Sequence, residues 1–309
     1  MKNKDLVSIK HLGADEVQQI FDTTSDIKNK MRKGIYEYPL KNKTLGMIFQ
    51  KPSTRTRVSF EAGMFQLGGH ALFLNSADLQ LKRGETVADT ARTLSRYVDG
   101  IMIRTFAHSD VVELAKHASV PVINGLTDLF HPCQILSDAF TILEKRGTLK
   151  GIKVVWIGDG NNVCHSWINL CPLAGMDLAI VNPKGYSPDK EVLEHGMAMA
   201  RKYNTKIEFI DKPREAVKNA DVIYTDIWVS MGQEKEVAER MSAFKDYQIN
   251  RDLLQAAPSD VMVMHCLPAH RGEEITDEII DGPNSIVFDE AENRLHTQKG
   301  IMVLLMSGK

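Results

Sequence analysis

Apolar positions along this chain follow two rhythms. One is helical. Between Ala14 and Met31, residues Val17, Ile20, Phe21, Ile27 and Met31 share a single stripe, the spacing of an amphipathic packing helix. The other is a succession of short apolar runs: Leu45–Phe49, Ala71–Leu74, Gly100–Ile103 and Pro121–Ile123, then Lys153–Ile157, Leu178–Val181, Lys206–Ile210, Val222–Thr225, Val261–Met264 and Ser285–Phe288. Longer mixed segments separate these runs, as in parallel α/β units. The pattern breaks at Arg146-Gly147-Thr148-Leu149-Lys150-Gly151 and then restarts. The expected organisation is therefore α/β, with a first domain over residues 1–148 and a second over 149–288, each a mainly parallel sheet flanked by helices. A final segment, about 289–309, is helical from Asn293 or so to Met306 and is expected to pack back on the first domain. That arrangement makes two chain crossings and a hinge.

Composition narrows the class. A length of 309 residues suits two domains at about 150 residues each. Apolar residues at 43% and charged residues at 25% are those of a folded globular chain. With 38 basic against 40 acidic side chains the net charge is −2, which argues against a sequence-independent nucleic-acid binder but leaves room for a local basic pocket. No apolar run approaches the ~18 residues of a membrane span, and the N-terminal Met1-Lys2-Asn3-Lys4-Asp5 leads into no apolar signal core, so no membrane partner is expected. The four cysteines (Cys133, Cys164, Cys171 and Cys266) form no C-x-x-C pair and read as free thiols of a reducing, cytoplasmic setting.

The first chemical constellation is Ser53-Thr54-Arg55-Thr56-Arg57, after a strand and the breaker Pro52. A hydroxyl at the start of a helix caps its free N–H groups, and the remaining donors with the helix dipole attract an anion. Arg55 adds a planar fork suited to phosphate. Arg57, two residues on, points roughly 200° away on a helix and is assigned to a structural ion pair. The plain structural reading is a capped helix with two solvated arginines. Arg104 sits just after another strand, where ligands of parallel sheets bind. In His131-Pro132-Cys133-Gln134, His131 can donate to a carbonyl oxygen and Gln134 can accept from an amide NH2; alone, His131 would be an ordinary satisfied loop histidine.

The segment Phe49-Gln50-Lys51-Pro52-Ser53-Thr54-Arg55-Thr56-Arg57-Val58-Ser59-Phe60-Glu61 resembles the carbamoyl-phosphate loop of the aspartate/ornithine carbamoyltransferase family. The Arg104-Thr105 and His131–Gln134 motifs follow in the family's order. The stretch Asp226-Ile227-Trp228-Val229-Ser230-Met231-Gly232-Gln233-Glu234 resembles the ornithine-binding loop of the ornithine branch, as does His265-Cys266-Leu267-Pro268-Ala269. The aspartate branch has another residue in place of this cysteine, and putrescine carbamoyltransferases lack Ser-Met-Gly. The match runs from about Leu45 to Met306.

The resemblance implies two Rossmann-like domains. It implies that Ser53, Thr54, Arg55, Thr56, Arg104, His131, Gln134 and Arg294 contact carbamoyl phosphate, that Gln80 reaches a neighbouring subunit's site, and that Leu267 offers its carbonyl to the carbamoyl NH2. Cys266 is read as a polar contact for the incoming amine. Asn162, with Asn161 as the neighbouring possibility, Asp226, Ser230 and Met231 would hold L-ornithine. Arg55, Arg104, His131 and Cys266 are the expected catalytic set. The implied reaction moves the carbamoyl group to the δ-amine of ornithine, giving L-citrulline and phosphate, with no cofactor and no metal. A homotrimer with shared sites is implied, and arginine biosynthesis is the associated process, although the residues do not distinguish building arginine from degrading it.

Several features admit other readings. Lys82 and Arg83 beside Gln80 read as a solvated basic loop. Gly158-Asp159-Gly160 mimics a dinucleotide turn, but the third glycine would fall at Val163 and the ribose-binding acid at Asn182. His265 next to Cys266 suggests an activated nucleophile, but adjacent strand residues face opposite ways. A zinc site from His131, Cys133, His265 and Cys266 lacks structural-zinc spacing. Arg294 can be explained as an i,i+4 partner of Glu290. A different amine, putrescine or an acylated ornithine, is the alternative acceptor; an anion-sensing protein and a nicotinamide dehydrogenase are the readings outside the class.

Overall fold

The computed structural model describes residues 1–230 and 232–308; Met231 and Lys309 lie outside it, as do the side chains of Leu81, Lys82 and Glu234. The chain divides into two compact units, Met1–Phe140 with Glu292–Lys309, and Thr141–Ala291. The divisions fall within two helices, α5 (Pro132–Arg146) and α12 (Val287–Met306).

In the first unit, β1 (Thr44–Phe49), β2 (His70–Asn75), β3 (Gly100–Arg104) and β4 (Val122–Leu126) form a parallel sheet in the order β2-β1-β3-β4. β1 and β3 are buried along almost their whole length, which is why they read as continuous apolar runs and not as alternation. Helices α1 (Ala14–Arg32), α2 (Thr54–Gln66), α3 (Val87–Leu94) and α4 (His108–His117) complete the α/β layers with α5 and α12. The predicted stripe of α1 buries Val17, Ile20 and Phe21. Its start is fixed by Glu16, whose carboxylate accepts the N–H groups of Lys2, Asn3 and Gly13.

The second unit holds a parallel sheet of β5 (Lys153–Ile157), β6 (Asp177–Val181), β7 (Ile207–Phe209), β8 (Val222–Thr225) and β9 (Met262–His265), in the order β7-β6-β5-β8-β9. Its helices are α6 (Asn162–Leu173), α7 (Lys190–Tyr203), α8 (Pro213–Ala216), α9 (Val237–Phe244), α10 (Arg251–Leu254) and α11 (Asp277–Ile280). Trp156 stacks on Tyr224, and Trp167 meets the same ring edge-on.

One expected strand does not form. Ser285–Phe288 makes a single bridge, Ser285 to Val263, and the helix α12 begins at Val287. The Glu290 N–H already bonds to the Ile286 carbonyl, and Asp289 and Glu290 lie in the first turn, where acids favour a helix start. The apolar run was too short to decide between the two periods.

Both sheets reverse their strand order at one place, between β1 and β3 in the first unit and between β5 and β8 in the second. Neighbouring loops diverge there, leaving a crevice at the strands' carboxyl ends.

Candidate active site

The loop after β1 reaches the crevice of the first unit with Ser53 as the N-cap of α2, its hydroxyl accepting the Thr56 N–H at 3.2 Å. Such a cap stabilises a helix start by about 1 kcal/mol. Thr54 lies exposed on the first turn, Arg55 is half-buried and Thr56 is buried. Arg57 diverges as its spacing requires: its Nε donates to Glu61 at 3.0 Å and its guanidinium lies 3.7 Å over the Phe73 ring. Across the crevice, Arg104 is the last residue of β3 and is buried. Its backbone carbonyl accepts the Gln50 N–H at 2.8 Å, which fixes the start of the β1 loop against the end of β3.

Helix α5 brings His131 and Gln134 to the same region, and both are buried. Arg294, 2% exposed, donates from Nη1 to Gln134 Oε1 and from Nη2 to Thr56 Oγ1, the latter at 3.2 Å. Gln134 in turn donates to Asp138 at 2.8 Å. Burial, then the charges of Arg294, Arg104 and Arg55, hold His131 well below the usual imidazole pKa, so the ring is neutral at physiological pH. Burial also pushes the Cys133 thiol up to about 12, with Arg294 opposing, which leaves it an inert packing group.

Sequence reading missed two members of this region. Lys51 is buried, pairs with Asp128 and lies 4.0 Å over the Phe106 ring. Asp138 was detectable as the i,i+4 partner of Gln134. Gln80 is exposed on a short 3-10 turn, Gln80–Arg83, beyond β2 and takes no part in this cluster.

In the second unit, the glycine turn after β5 carries Asn161 and Asn162. Asn161 is the N-cap of α6: its Oδ1 accepts from Val163 N and Cys164 N, and its Nδ2 donates to Asp226 Oδ2 at 2.8 Å. The half-buried Asn162 opens the helix. A Cβ on Gly160 would sit 2.2 Å from Pro188 N, so this glycine is required by close approach of the Ser187-Pro188 backbone.

Asp226 follows β8 and Cys266 follows β9. The Cys266 Sγ donates to Asp226 Oδ1 at 3.1 Å. His265 is fully buried with a ring nitrogen within 4.8 Å of that thiol, but both nitrogens are engaged, Nδ1 accepting the Leu267 N–H at 2.9 Å and Nε2 lying 3.0 Å from Glu274 Oε1. With Nδ1 an acceptor, Nε2 carries the proton and donates to Glu274. The imidazole therefore holds Leu267, at φ +56° before a cis proline, instead of serving as a base for Cys266. Ser230 is half-buried and its N–H bonds to Gln233 Oε1 at 2.9 Å. Met231, the remaining expected ligand, lies outside the described residues.

Known proteins carry the same design. Residues 4–144 match the family model for the carbamoyl-P binding domain of aspartate/ornithine carbamoyltransferases, and residues 150–305 match that for the Asp/Orn binding domain. The ornithine carbamoyltransferase of Pyrococcus horikoshii is 56% identical over 308 residues, all of this chain and 97% of that one. That of Oceanobacillus iheyensis is 54% identical over 99% of this chain and 95% of its own. The solved ornithine carbamoyltransferase of Pyrococcus furiosus superposes with a TM-score of 0.96 at 55% identity, covering 99% of this chain and 97% of that chain. Two family models that together span nearly the whole length, and relatives more than half identical over all of it, give the assignment: the chain belongs to the aspartate/ornithine carbamoyltransferase family.

Proposed function

We propose that this enzyme transfers the carbamoyl group of carbamoyl phosphate to the δ-amine of L-ornithine, giving L-citrulline and phosphate. The observation that carries the reading is the pair of bonds from the buried Arg294 to Gln134 and to Thr56 in the first turn of α2, in the unit that also buries Arg104 and His131. Three guanidiniums, two of them buried, suit a dianionic leaving group. A neutral imidazole beside them can donate one hydrogen bond to the carbamoyl oxygen without surrendering a proton. Ser53, Thr54 and Thr56 supply hydroxyls and helix-start N–H groups. Gln134 and the Leu267 carbonyl orient the carbamoyl NH2.

On this reading residues 1–148, with the C-terminal helix, form the carbamoyl-phosphate domain and 149–288 the ornithine domain. Asp226, Ser230, Met231 and Asn162 hold the amino acid, and Asn162 takes precedence over Asn161 because the amide of Asn161 is committed to capping α6 and to Asp226. Cys266 contacts the amine. The δ-amine attacks the carbamoyl carbon, negative charge builds on the carbonyl oxygen and then on phosphate, and the departing phosphate takes the proton. Positioning supplies much of the remaining acceleration. No step calls for a metal or an organic cofactor.

A homotrimer in which Gln80 serves a neighbouring site accords with the exposed apolar side chains Leu72 and Phe73 on edge strand β2. The relative from Pyrococcus furiosus is named anabolic, which favours arginine biosynthesis, a cytoplasmic process. The test is citrulline formation by the purified enzyme from carbamoyl phosphate with ornithine, putrescine and N-acetylornithine side by side. Ornithine should be the preferred acceptor, and Arg55→Ala should lose activity by orders of magnitude. Near-normal turnover of Arg55→Ala would overturn the assignment.

A further inference from the structure

The loop from Asp226 to Glu236 carries the proposed amino-acid contacts, and several of its hydrogen bonds close upon itself. Ile227 N–H bonds to Asp226 Oδ1, Ser230 N–H to Gln233 Oε1, Gln233 N–H to Ser230 O, and Glu236 N–H to Gln233 O. Asn161 and Cys266 hold its first residue, Asp226, and Trp228 stacks on Phe244; farther along, Arg240 ties the loop to the glycine turn. Arg240, on α9, donates from Nη1 to the Trp228 carbonyl at 3.0 Å and to Asp159 Oδ2 at 2.8 Å, and from Nε to Glu236 Oε2 at 2.8 Å. Its guanidinium also lies 5.0 Å from the centre of the Tyr186 ring.

These partners span three pieces of chain: Trp228 and Glu236 belong to the loop, Asp159 to the glycine turn that presents Asn161 and Asn162, and Tyr186 to the segment after β6. Asp159 is itself anchored: its carbonyl accepts from Trp156 Nε1 at 3.0 Å and from Asn161 N at 2.8 Å. The Arg240 and Asp159 side chains are 7% and 11% exposed, whereas Glu236 is 53% exposed. The buried link to Asp159 is therefore the one with leverage, since exposed pairs are screened. Burial raises the Asp159 carboxyl above its ordinary pKa, the hydrogen bond and charge of Arg240 pull it back, and the Asp226 carboxylate pushes it up again. The guanidinium thus also offsets repulsion between two carboxylates on facing strand ends.

We propose that Arg240 is a positioning residue for the amino-acid substrate, a brace that holds the Trp228–Ser230 loop in register with the Asp159–Asn162 turn so that Ser230 and Asp226 meet the ornithine head group opposite Asn162. The proposal rests on the carbamoyl-transfer reading above. Arg240 touches neither substrate, and its effect passes through the loop.

The experiment is steady-state citrulline kinetics on the full-length enzyme with each substrate varied in turn, for the wild type, Arg240→Gln, Arg240→Lys, Asp159→Asn and the double variant Arg240→Gln/Asp159→Asn. Arg240→Gln should raise the ornithine KM by about 10- to 100-fold, the scale of an ångström-level misplacement. The carbamoyl-phosphate KM should stay within about twofold. Lysine should restore part of the loss, and Asp159→Asn should give the same split. The double variant should be little worse than either single one, because both break the same link. An unchanged ornithine KM, or an equal rise in both KM values, overturns the proposal; if Arg240→Gln fails to fold, Asp159→Asn decides by the same criterion. A wild type that makes no citrulline sinks the underlying reading instead, so the two failures are distinct.

Discussion

Arg294→Met tests whether the first crevice was built to receive a dianion at the expense of stability. Arg294 is almost wholly buried, and among the described residues no carboxylate pairs with it; its partners are the neutral oxygens of Gln134 and Thr56, and its Nε has no hydrogen-bond partner. A buried charge without a counter-ion destabilises the fold by several kcal/mol. Methionine keeps the apolar bulk and removes the charge, while Gln134 and Thr56 each lose a donor, at a cost of about 1–3 kcal/mol in all. The balance is neutral to stabilising, about 0 to 3 kcal/mol. The functional effect has the opposite sign. Loss of one preorganised donor to developing negative charge costs about 10²–10³ in kcat. A wild type saturated with carbamoyl phosphate at 100 times its Kd gains about 2.7 kcal/mol of stability, and the variant should lose most of that gain. Urea unfolding with and without ligand, read beside citrulline kinetics, measures both. If Arg294→Met were clearly less stable than the wild type and still showed the full ligand-induced shift, the reasoning would fail.

Two further outcomes follow from the titration and exposure of particular groups. His131 has a depressed folded-state pKa, so below about pH 6.5 the unfolded chain takes up a proton that the folded one refuses; stability should fall with acidification through that range by up to about 1.4 kcal/mol per pH unit, and His131→Asn should flatten the slope of urea midpoints between pH 7.5 and 5.5. Cys133, Cys164 and Cys171 are buried with thiols pushed up by burial, whereas Cys266 is half-exposed, so brief iodoacetamide treatment at pH 8 should label Cys266 first by peptide mass spectrometry; equal labelling of all four would contradict the fold.

Much of this architecture was legible in the chain. Short apolar runs separated by helix-length segments specify parallel strands, because burial on both faces removes the need for alternation. Ser53 announced a helix start, and the angle between Arg55 and Arg57 foretold that the second would leave the crevice for Glu61. The glycine turn at 158–160 was legible as a turn, but the reason for Gly160, contact with Ser187-Pro188, was not.

What the sequence determined by itself is therefore local: which longer segments coil, which apolar runs extend apart from Ser285–Phe288, where a capping residue such as Ser53 starts a helix, and which residue types stand at strand ends. Only the tertiary structure decided that Arg294 meets Gln134 and Thr56, 160 and 238 residues away; that Asn161 serves as a cap; that His131 is neutral; and that Arg240 reaches Asp159. The division has a physical cause. Backbone propensity and capping act over a few residues, whereas charge pairing and desolvation depend on which strand ends the crossovers bring together, and that is set by strand order in the sheet.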